Sequence, residues 1–223
     1  MITKITRFNR ARTGYNKAGD IEFSNSQQGQ DDFNAYIGKV VNAKTASRAI
    51  SFGLYEDGQH SGATWHSPTA IVLHYMIGDH GSRATTEIIP AARLLRLGFW
   101  CLATKDRYNH NCLAIALPLT APLTQEQYAR LVYVLMEEMR ALGCSYGLAK
   151  GTSAMTHVLE FGAGAEAAWV DGPLLDGKAK IKATKLAAQN MERDRFTVGH
   201  DAARVQLERP VFTACEPGLF EGL

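Results

Sequence analysis

Several side chains in this sequence could do chemistry at the ends of predicted strands. His74 and Met76 lie two residues apart in the apolar run 70–77, so in a strand they point to the same face. Imidazole and thioether are poor ligands for Mg²⁺, which prefers oxygen, whereas imidazole suits Zn²⁺, Ni²⁺ or Mn²⁺. Asp79 and His110 flank neighbouring strands. One hypothesis is therefore a divalent-metal site of His74, Asp79 and His110. The other makes His74 a hydrogen-bonded core residue, with no cofactor.

A second set of residues has the types that contact a polyanion. Phosphate binding needs Lys and Arg on a surface, and base stacking needs exposed aromatic rings. Residues 1–17 hold five basic residues and no acid, and residues 178–195 hold six basic residues against two acids. The alternative interpretation is that the basic tails are merely solvated and that Trp65 lies at the rim of the core. The candidate nucleic-acid contacts are Arg7, Arg10, Arg12, Tyr15, Trp65, Tyr108, Lys178, Lys180, Lys182 and Lys185.

Length and composition indicate a globular protein. The chain has 223 residues, 46% of them apolar and 21% charged, with a net charge of +2. No apolar run approaches the roughly 20 residues that span a bilayer, and the N-terminus has no apolar signal segment. The four cysteines show no Cys-x-x-Cys spacing, which favours free thiols in a reducing compartment. We therefore expect no membrane contact and a location in the cytoplasm of a bacterial host.

The hydrophobic pattern predicts an α+β fold. Between about 68 and 165 the elements follow the order β-α-β-β-α-β, the split βαβ of ferredoxin-like (RRM-like) folds. Residues 1–47 are interpreted as a basic arm and polar extension that precede a core at 49–165. Strands are predicted at 50–55, 70–77, 99–104, 112–117 and 155–161, and helices at 31–43, 90–97, 124–142 and 178–193.

The order of these elements, together with Pro118-Leu-Thr-Ala-Pro-Leu after the fourth strand, resembles the archaeo-eukaryotic primase superfamily. The similarity is to the primase-polymerases and replication proteins of phages and plasmids. It covers about half of the chain. It implies a primase-type catalytic domain at 1–175 with N-terminal additions, followed at 176–223 by a basic helix and an irregular tail.

The same resemblance implies where catalytic residues should lie. The family's Asp-x-Asp falls on His74-Tyr75-Met76, and its Ser-x-His falls on Tyr108-Asn109-His110. Its third acid should follow the long helix, yet residues 144–153 contain no acid. Two-metal nucleotidyl transfer needs such carboxylates to hold Mg²⁺ or Mn²⁺. His74, Met76 and His110 are thus expected to mark a vestigial catalytic site.

The resulting hypothesis is a catalytically inactive, primase-derived protein of a phage or plasmid replication system that binds single-stranded DNA. One alternative is a divergent metal-dependent primase or nucleotidyltransferase with histidine ligands. Another is an interaction module that binds a replisome or host protein. Phosphate contact survives the loss of the carboxylates, because it needs only surface cations.

Overall fold

A sheet of eight strands forms the centre of the fold. A computed structural model describes residues 1–11, 14–42, 49–56, 65–78, 84–105, 110–149, 152 and 157–184. Two further strands, β4 and β5, form a separate hairpin. The strands are β1 (Ile2–Ala11), β2 (Gly14–Ser24), β3 (Ala49–Ser51), β4 (Gly53–Tyr55), β5 (Trp65–Pro68), β6 (Ala70–Met76), β7 (Phe99–Lys105), β8 (Asn111–Pro118), β9 (Leu159–Glu160) and β10 (Ala167–Val170).

Four α-helices cover the sheet. They are α1 (Gln27–Asn42), α2 (Ile89–Leu94), which continues a π-helical turn at Ala84–Ile88, α3 (Gln125–Ala141) and α4 (residues 177–184). A capping box begins α3, with Thr124 and Gln127 bonded to each other's backbone. None of the described helices is both long and apolar enough to cross a bilayer.

The predicted α+β class and the split βαβ are confirmed in the central part of the sheet. The strand order is β2-β1-β3-β9-β7-β8-β6, with β10 also paired to β7, and all of these pairs are antiparallel. Strand β8 thus lies between β6 and β7, which places His74 and Cys112 on neighbouring strands.

The last strand of the β-α-β-β-α-β unit differs from the predicted strand at 155–161. Strand β9 has two residues and pairs with β3 and β7, while residues 153–156 lie outside the described part of the chain. The free edge of β6 is instead satisfied by the segment after α3. Leu148 bridges to Tyr75, and the Ala149 amide donates to the His74 carbonyl over 2.6 Å. The chain then crosses to the edge of β7.

The N-terminal residues form a β-hairpin and a helix, not a basic arm. Strand β1 pairs along its whole length with β2 and also contacts β3. Ile5 packs against α1 on one face, whereas Phe8 packs under the β4–β5 hairpin on the other. Because β1 is buried on both faces, it lacks the alternation of apolar and polar residues that marks a half-buried strand. Helix α1 begins at Gln27, earlier than the predicted start at 31.

The sheet curves back on itself, because the start of its edge strand β6 is joined to β3 and β1. The carbonyl of Phe52, between β3 and β4, accepts hydrogen bonds from Thr69 (2.8 Å) and Ala70 (3.4 Å) at the start of β6. The Thr69 hydroxyl donates to the carbonyl of Lys4 on β1 over 2.6 Å. These contacts also divide the predicted strand 50–55 into β3 and β4.

Two apolar cores result, one on each face of the sheet. On the α1 face, Phe33 and Ile37 of α1 pack against residues such as Leu102 and Ala114 of the sheet. On the α3 face, α2, α3 and α4 pack against β6, β7 and β8, and Ile181 of α4 belongs to this core. We call these two sides of the sheet the α1 face and the α3 face.

Helix α1 provides a test of this packing, because it contains two glycines in different surroundings. A Cβ at Gly29 would lie 1.7 Å from the Ser24 carbonyl oxygen, whereas a Cβ at Gly38 would meet nothing within 4 Å. We expect Gly29→Ala to lower the free energy of unfolding by about 2 kcal/mol or more, because backbone must move. Gly38→Ala, at an exposed helical position, should raise it by about 0.5–1 kcal/mol. Urea denaturation of both variants checks this, and equal stabilities would contradict the packing described.

Candidate functional site

Strand register places the vestigial-site positions of β6 and the hairpin residues Arg10 and Tyr15 on opposite faces of the sheet. Met76, Cys112 and Thr104 are paired in one row across β6, β8 and β7 on the α1 face. Lys105 and Glu160 are paired in a row on the α3 face. Since neighbouring residues of a strand point to opposite sides, His74 and Met76 do not share a surface with Arg10 and Tyr15, which lie beside Glu160.

His74 is a buried residue with hydrogen bonds at both ring nitrogens. Its side chain lies on the α1 face and the residue is only 2% exposed. Nδ1 lies 2.8 Å from Nε2 of His157, and Nε2 lies 2.9 Å from the hydroxyl oxygen of Thr104. Neutral imidazoles satisfy this arrangement, with the proton on either ring nitrogen of His74. Neither nitrogen can bind a metal or take a proton from a substrate without breaking one of these bonds.

The small side chain of Ala114 allows the bond between His74 and Thr104. These residues belong to β6 and β7, with Ala114 of β8 opposite both His74 and Leu102. Two strand spacings of about 4.8 Å separate the backbones of β6 and β7, a gap that an imidazole and a hydroxyl can bridge together. A larger residue at 114 would fill that space. The identity of one residue on β8 therefore permits the bond between its two neighbours.

The other vestigial-site positions are more open. Met76 is 49% exposed, and His110 is an exposed residue immediately before β8. Segment 144–149, where the third acid is expected, does lie beside His74, but it and Thr152 carry no carboxylate. Among the residues that the structure describes, no three or more His, Cys, Asp or Glu side chains are grouped to hold a metal ion. Asp79 lies outside the described residues.

On the α3 face, the hairpin brings Arg10 and Tyr15 together with Glu160. The Tyr15 hydroxyl donates to Oε1 of Glu160, and Nη1 of Arg10 lies 3.9 Å from Oε2. The Arg10 side chain is 62% exposed, whereas that of Glu160 is only 16% exposed. Burial, together with the hydrogen bond to Glu160, raises the pKa of the Tyr15 hydroxyl, so the phenol stays protonated and donates.

Aromatic rings surround this group. The ring of Phe8 makes edge contacts with Tyr15 (centroids 6.4 Å apart) and Tyr55 (5.1 Å). Trp65, on β5, packs against the same cluster and is half-buried. Three of the predicted contacts, Arg10, Tyr15 and Trp65, therefore lie in one region, which we call the hairpin patch together with Phe8 and Glu160.

The remaining predicted contacts are not part of this patch. Arg7 lies on the α1 face, where Nη2 donates to the Ala18 carbonyl over 3.2 Å at a bulge between β1 and β2. Lys180 is paired with Glu138 at 2.7 Å, so α4 is held on α3. Lys178 and Lys182 on the same helix are exposed. Arg12, Tyr108 and Lys185 lie outside the described residues.

Sequence reasoning missed Thr104 and His157, which hold His74, and it did not include Glu160 among the candidate site residues. Thr104 and His157 lie 30 and 83 residues from His74. The register of β6, β8 and β7 brings Thr104 to His74, whereas His157 reaches it from the segment before β9, and no local pattern encodes either contact. Glu160 had a visible signal, since an isolated acid in an otherwise apolar strand pattern needs a partner when it is buried.

Comparison with known proteins yields one structural similarity. No protein-family model matches the chain, and no curated protein sequence matches it. Among solved structures, the chain is similar to the AEP domain of the cyanophage S-2L primase-polymerase (PrimPol), with a TM-score of 0.46 and 16% sequence identity. The similarity covers 81% of this chain and 88% of the cyanophage domain.

Replacement of Thr104 tests the hydrogen bonds of His74. Thr104→Val removes the hydroxyl and leaves Nε2 of a buried imidazole without a partner, which should lower the free energy of unfolding by about 1–3 kcal/mol. Thr104→Ser keeps the hydroxyl and loses one methyl group, at a cost of about 0.8 kcal/mol. Urea denaturation measures both. If Thr104→Val is as stable as Thr104→Ser, the hydrogen bond between Thr104 and His74 does not stabilise the fold.

Proposed function

We propose that this chain is a catalytically inactive, primase-derived protein that binds single-stranded DNA in the replication system of a phage or plasmid. The observation that carries the loss of catalysis is the state of His74. The position that the family resemblance assigns to a metal-binding aspartate holds a buried imidazole whose two nitrogens are bonded to Thr104 and His157. This side chain supports the interior of the sheet and presents no ligand atom to solvent.

The neighbouring positions support the same conclusion. Met76 offers a thioether where the second aspartate is expected, and Mg²⁺ prefers oxygen ligands. The segment after α3 lies beside β6, where the third acid would complete a two-metal site, but residues 144–153 supply none. With all three carboxylates replaced, the triphosphate charge that two metal ions normally neutralise would have no compensation.

The hairpin patch supports nucleic-acid binding. It combines an exposed guanidinium at Arg10 with the partly buried rings of Tyr15 and Trp65, and such a combination binds a strand through its phosphates and its bases. Duplex DNA buries its base faces, so aromatic rings on a sheet surface favour an unpaired strand. Lys178 and Lys182 on α4 are proposed as additional phosphate contacts. Replication proteins are the proposed partners, in the cytoplasm of a bacterial host.

Primer synthesis tests the absence of catalysis. With single-stranded templates, nucleoside triphosphates and either Mg²⁺ or Mn²⁺, we expect no primer formation or extension above background, because no carboxylate pair holds the metal ions. The decisive variant is His74→Ala. Synthesis by the unaltered chain that His74→Ala abolishes would refute the proposal and favour a divergent enzyme with His74, Asp79 and His110 as metal ligands.

Salt titration tests DNA binding by the hairpin patch. The logarithm of the association constant for single-stranded DNA should fall linearly with log salt, by about 0.7 for each phosphate neutralised. Arg10→Ala should reduce that slope by about 0.7, because one phosphate contact is lost. Arg7→Ala is the matched control, since Arg7 is on the same strand but on the α1 face, and its slope should be unchanged.

The same titration is run against duplex DNA and RNA to define the ligand. Tighter binding of the single strand than of the duplex is expected. Absence of binding to all three at low salt would end the nucleic-acid proposal and favour a module that binds a replisome or host protein.

A further inference from the structure

The hairpin patch continues as a row of side chains across the α3 face of the sheet. Register pairs join Phe8 to Ala49, Ala49 to Glu160, Glu160 to Lys105 and Lys105 to Asn111. These five residues belong to β1, β3, β9, β7 and β8, which are consecutive neighbours in the sheet. Phe8 and Ala49 are fully buried beneath the β4–β5 hairpin, so the accessible part of the row runs from Glu160 to Asn111. It spans two strand spacings of about 4.8 Å, or about 10 Å.

The row has cations near both ends and an acid between them. Arg10 lies two residues beyond Phe8 on the same face of β1, and Tyr15 is its partner on β2. At the other end, the Lys105 ammonium donates to the side-chain oxygen of Asn111. Between them, Glu160 is engaged by Tyr15, whose ring extends across β3, where the paired residue Ala49 is small.

The position of Lys105 is fixed by its surroundings. Its aliphatic stem lies against Gly162, where an added Cβ would come within 2.8 Å of the Lys105 Cγ. Gly162 also begins the turn 162–165, which lines a shallow depression together with Ala103 and Thr104. The stem is therefore held against the backbone, and only the ammonium end is left to reach a ligand.

We infer that single-stranded nucleic acid crosses the accessible part of this row, and that Lys105 is a phosphate contact on the side of Glu160 opposite Arg10. This inference rests on the proposed function and extends its site. The accessible part of about 10 Å accommodates about three nucleotides at the roughly 3.4 Å spacing of a stacked strand. Glu160 repels phosphate, so the backbone is contacted at Arg10 and at Lys105, on either side of this carboxylate.

The test is binding of a fluorescein-labelled 12-nucleotide oligodeoxythymidine, measured by fluorescence anisotropy as a function of salt. Lys105→Ala should reduce the slope of log association constant against log salt by about 0.7, which is a five-fold loss of affinity at 0.1 M salt. Lys105→Gln, which can still donate to Asn111, should show the same loss, because the charge is gone in both. Lys105→Arg should retain the slope of the unaltered chain.

Two further variants complete the design. Lys39→Ala, at an exposed position of α1 on the other face, is the matched control and should leave the slope unchanged. Glu160→Gln should increase affinity, since it removes a negative charge while its amide oxygen can still accept from Tyr15. Thermal unfolding confirms that each variant is folded.

Failure of this inference is distinguishable from failure of the proposed function. If the unaltered chain binds the oligonucleotide with a salt dependence that Lys105→Ala and Lys105→Gln leave unchanged, the row is not the binding track and only the inference is overturned. If the unaltered chain does not bind, the proposed function fails and the inference fails with it.

Discussion

The carbonyl of Phe52 joins the edge strand β6 to β3, and the rest of the structure depends on that closure. Its hydrogen bonds to Thr69 and Ala70 bring the start of β6 to β3, and the Thr69 hydroxyl adds a bond to β1. The curved sheet then encloses apolar side chains on its α1 face, where helix α1 closes the remaining side. A flat sheet of this length would leave that face open to water, and burial of apolar surface is the main stabilising term in folding.

Closure also decides which residues can act on a ligand. The face that carries His74 becomes an interior, so a polar side chain there must find partners within the protein, as His74 does with Thr104 and His157. The opposite face keeps a surface between the β4–β5 hairpin and the helices. Charged residues such as Arg10 and Lys105 remain accessible there. We therefore propose this accessible face, and not the face of His74, as the binding surface.

The sequence predicted the parts of the fold whose pattern is local. Strands β6, β7 and β8 are continuous apolar runs, and α3 has a capping box and helical spacing. These local patterns are sufficient to predict the order of the elements and the split βαβ. Strand β1 was missed because residues such as Ile5 and Phe8 are buried on opposite faces and obscure the alternation.

The contacts of the candidate site required information that the sequence does not carry locally. The bond of His74 to Thr104 depends on the register of three strands. The separation of Arg7 from Arg10 depends on the direction in which each residue of one strand points. Charge counts placed both arginines in one basic arm. Strand geometry assigns Arg7 to the interior side and Arg10 to the surface.

The bulge between Arg7 and Phe8 has a consequence for the association of one copy with another. Strand β2 has eleven residues and lies at the edge of the sheet, where unpaired backbone groups could add the strand of a second molecule. Opposite the bulge, Ala18 is an extra residue whose carbonyl is already bonded to Arg7. The charged residues Lys17, Asp20 and Glu22 lie on the same strand. Such an irregular, charged edge disfavours edge-to-edge pairing, so the hairpin protects the molecule from strand-mediated aggregation.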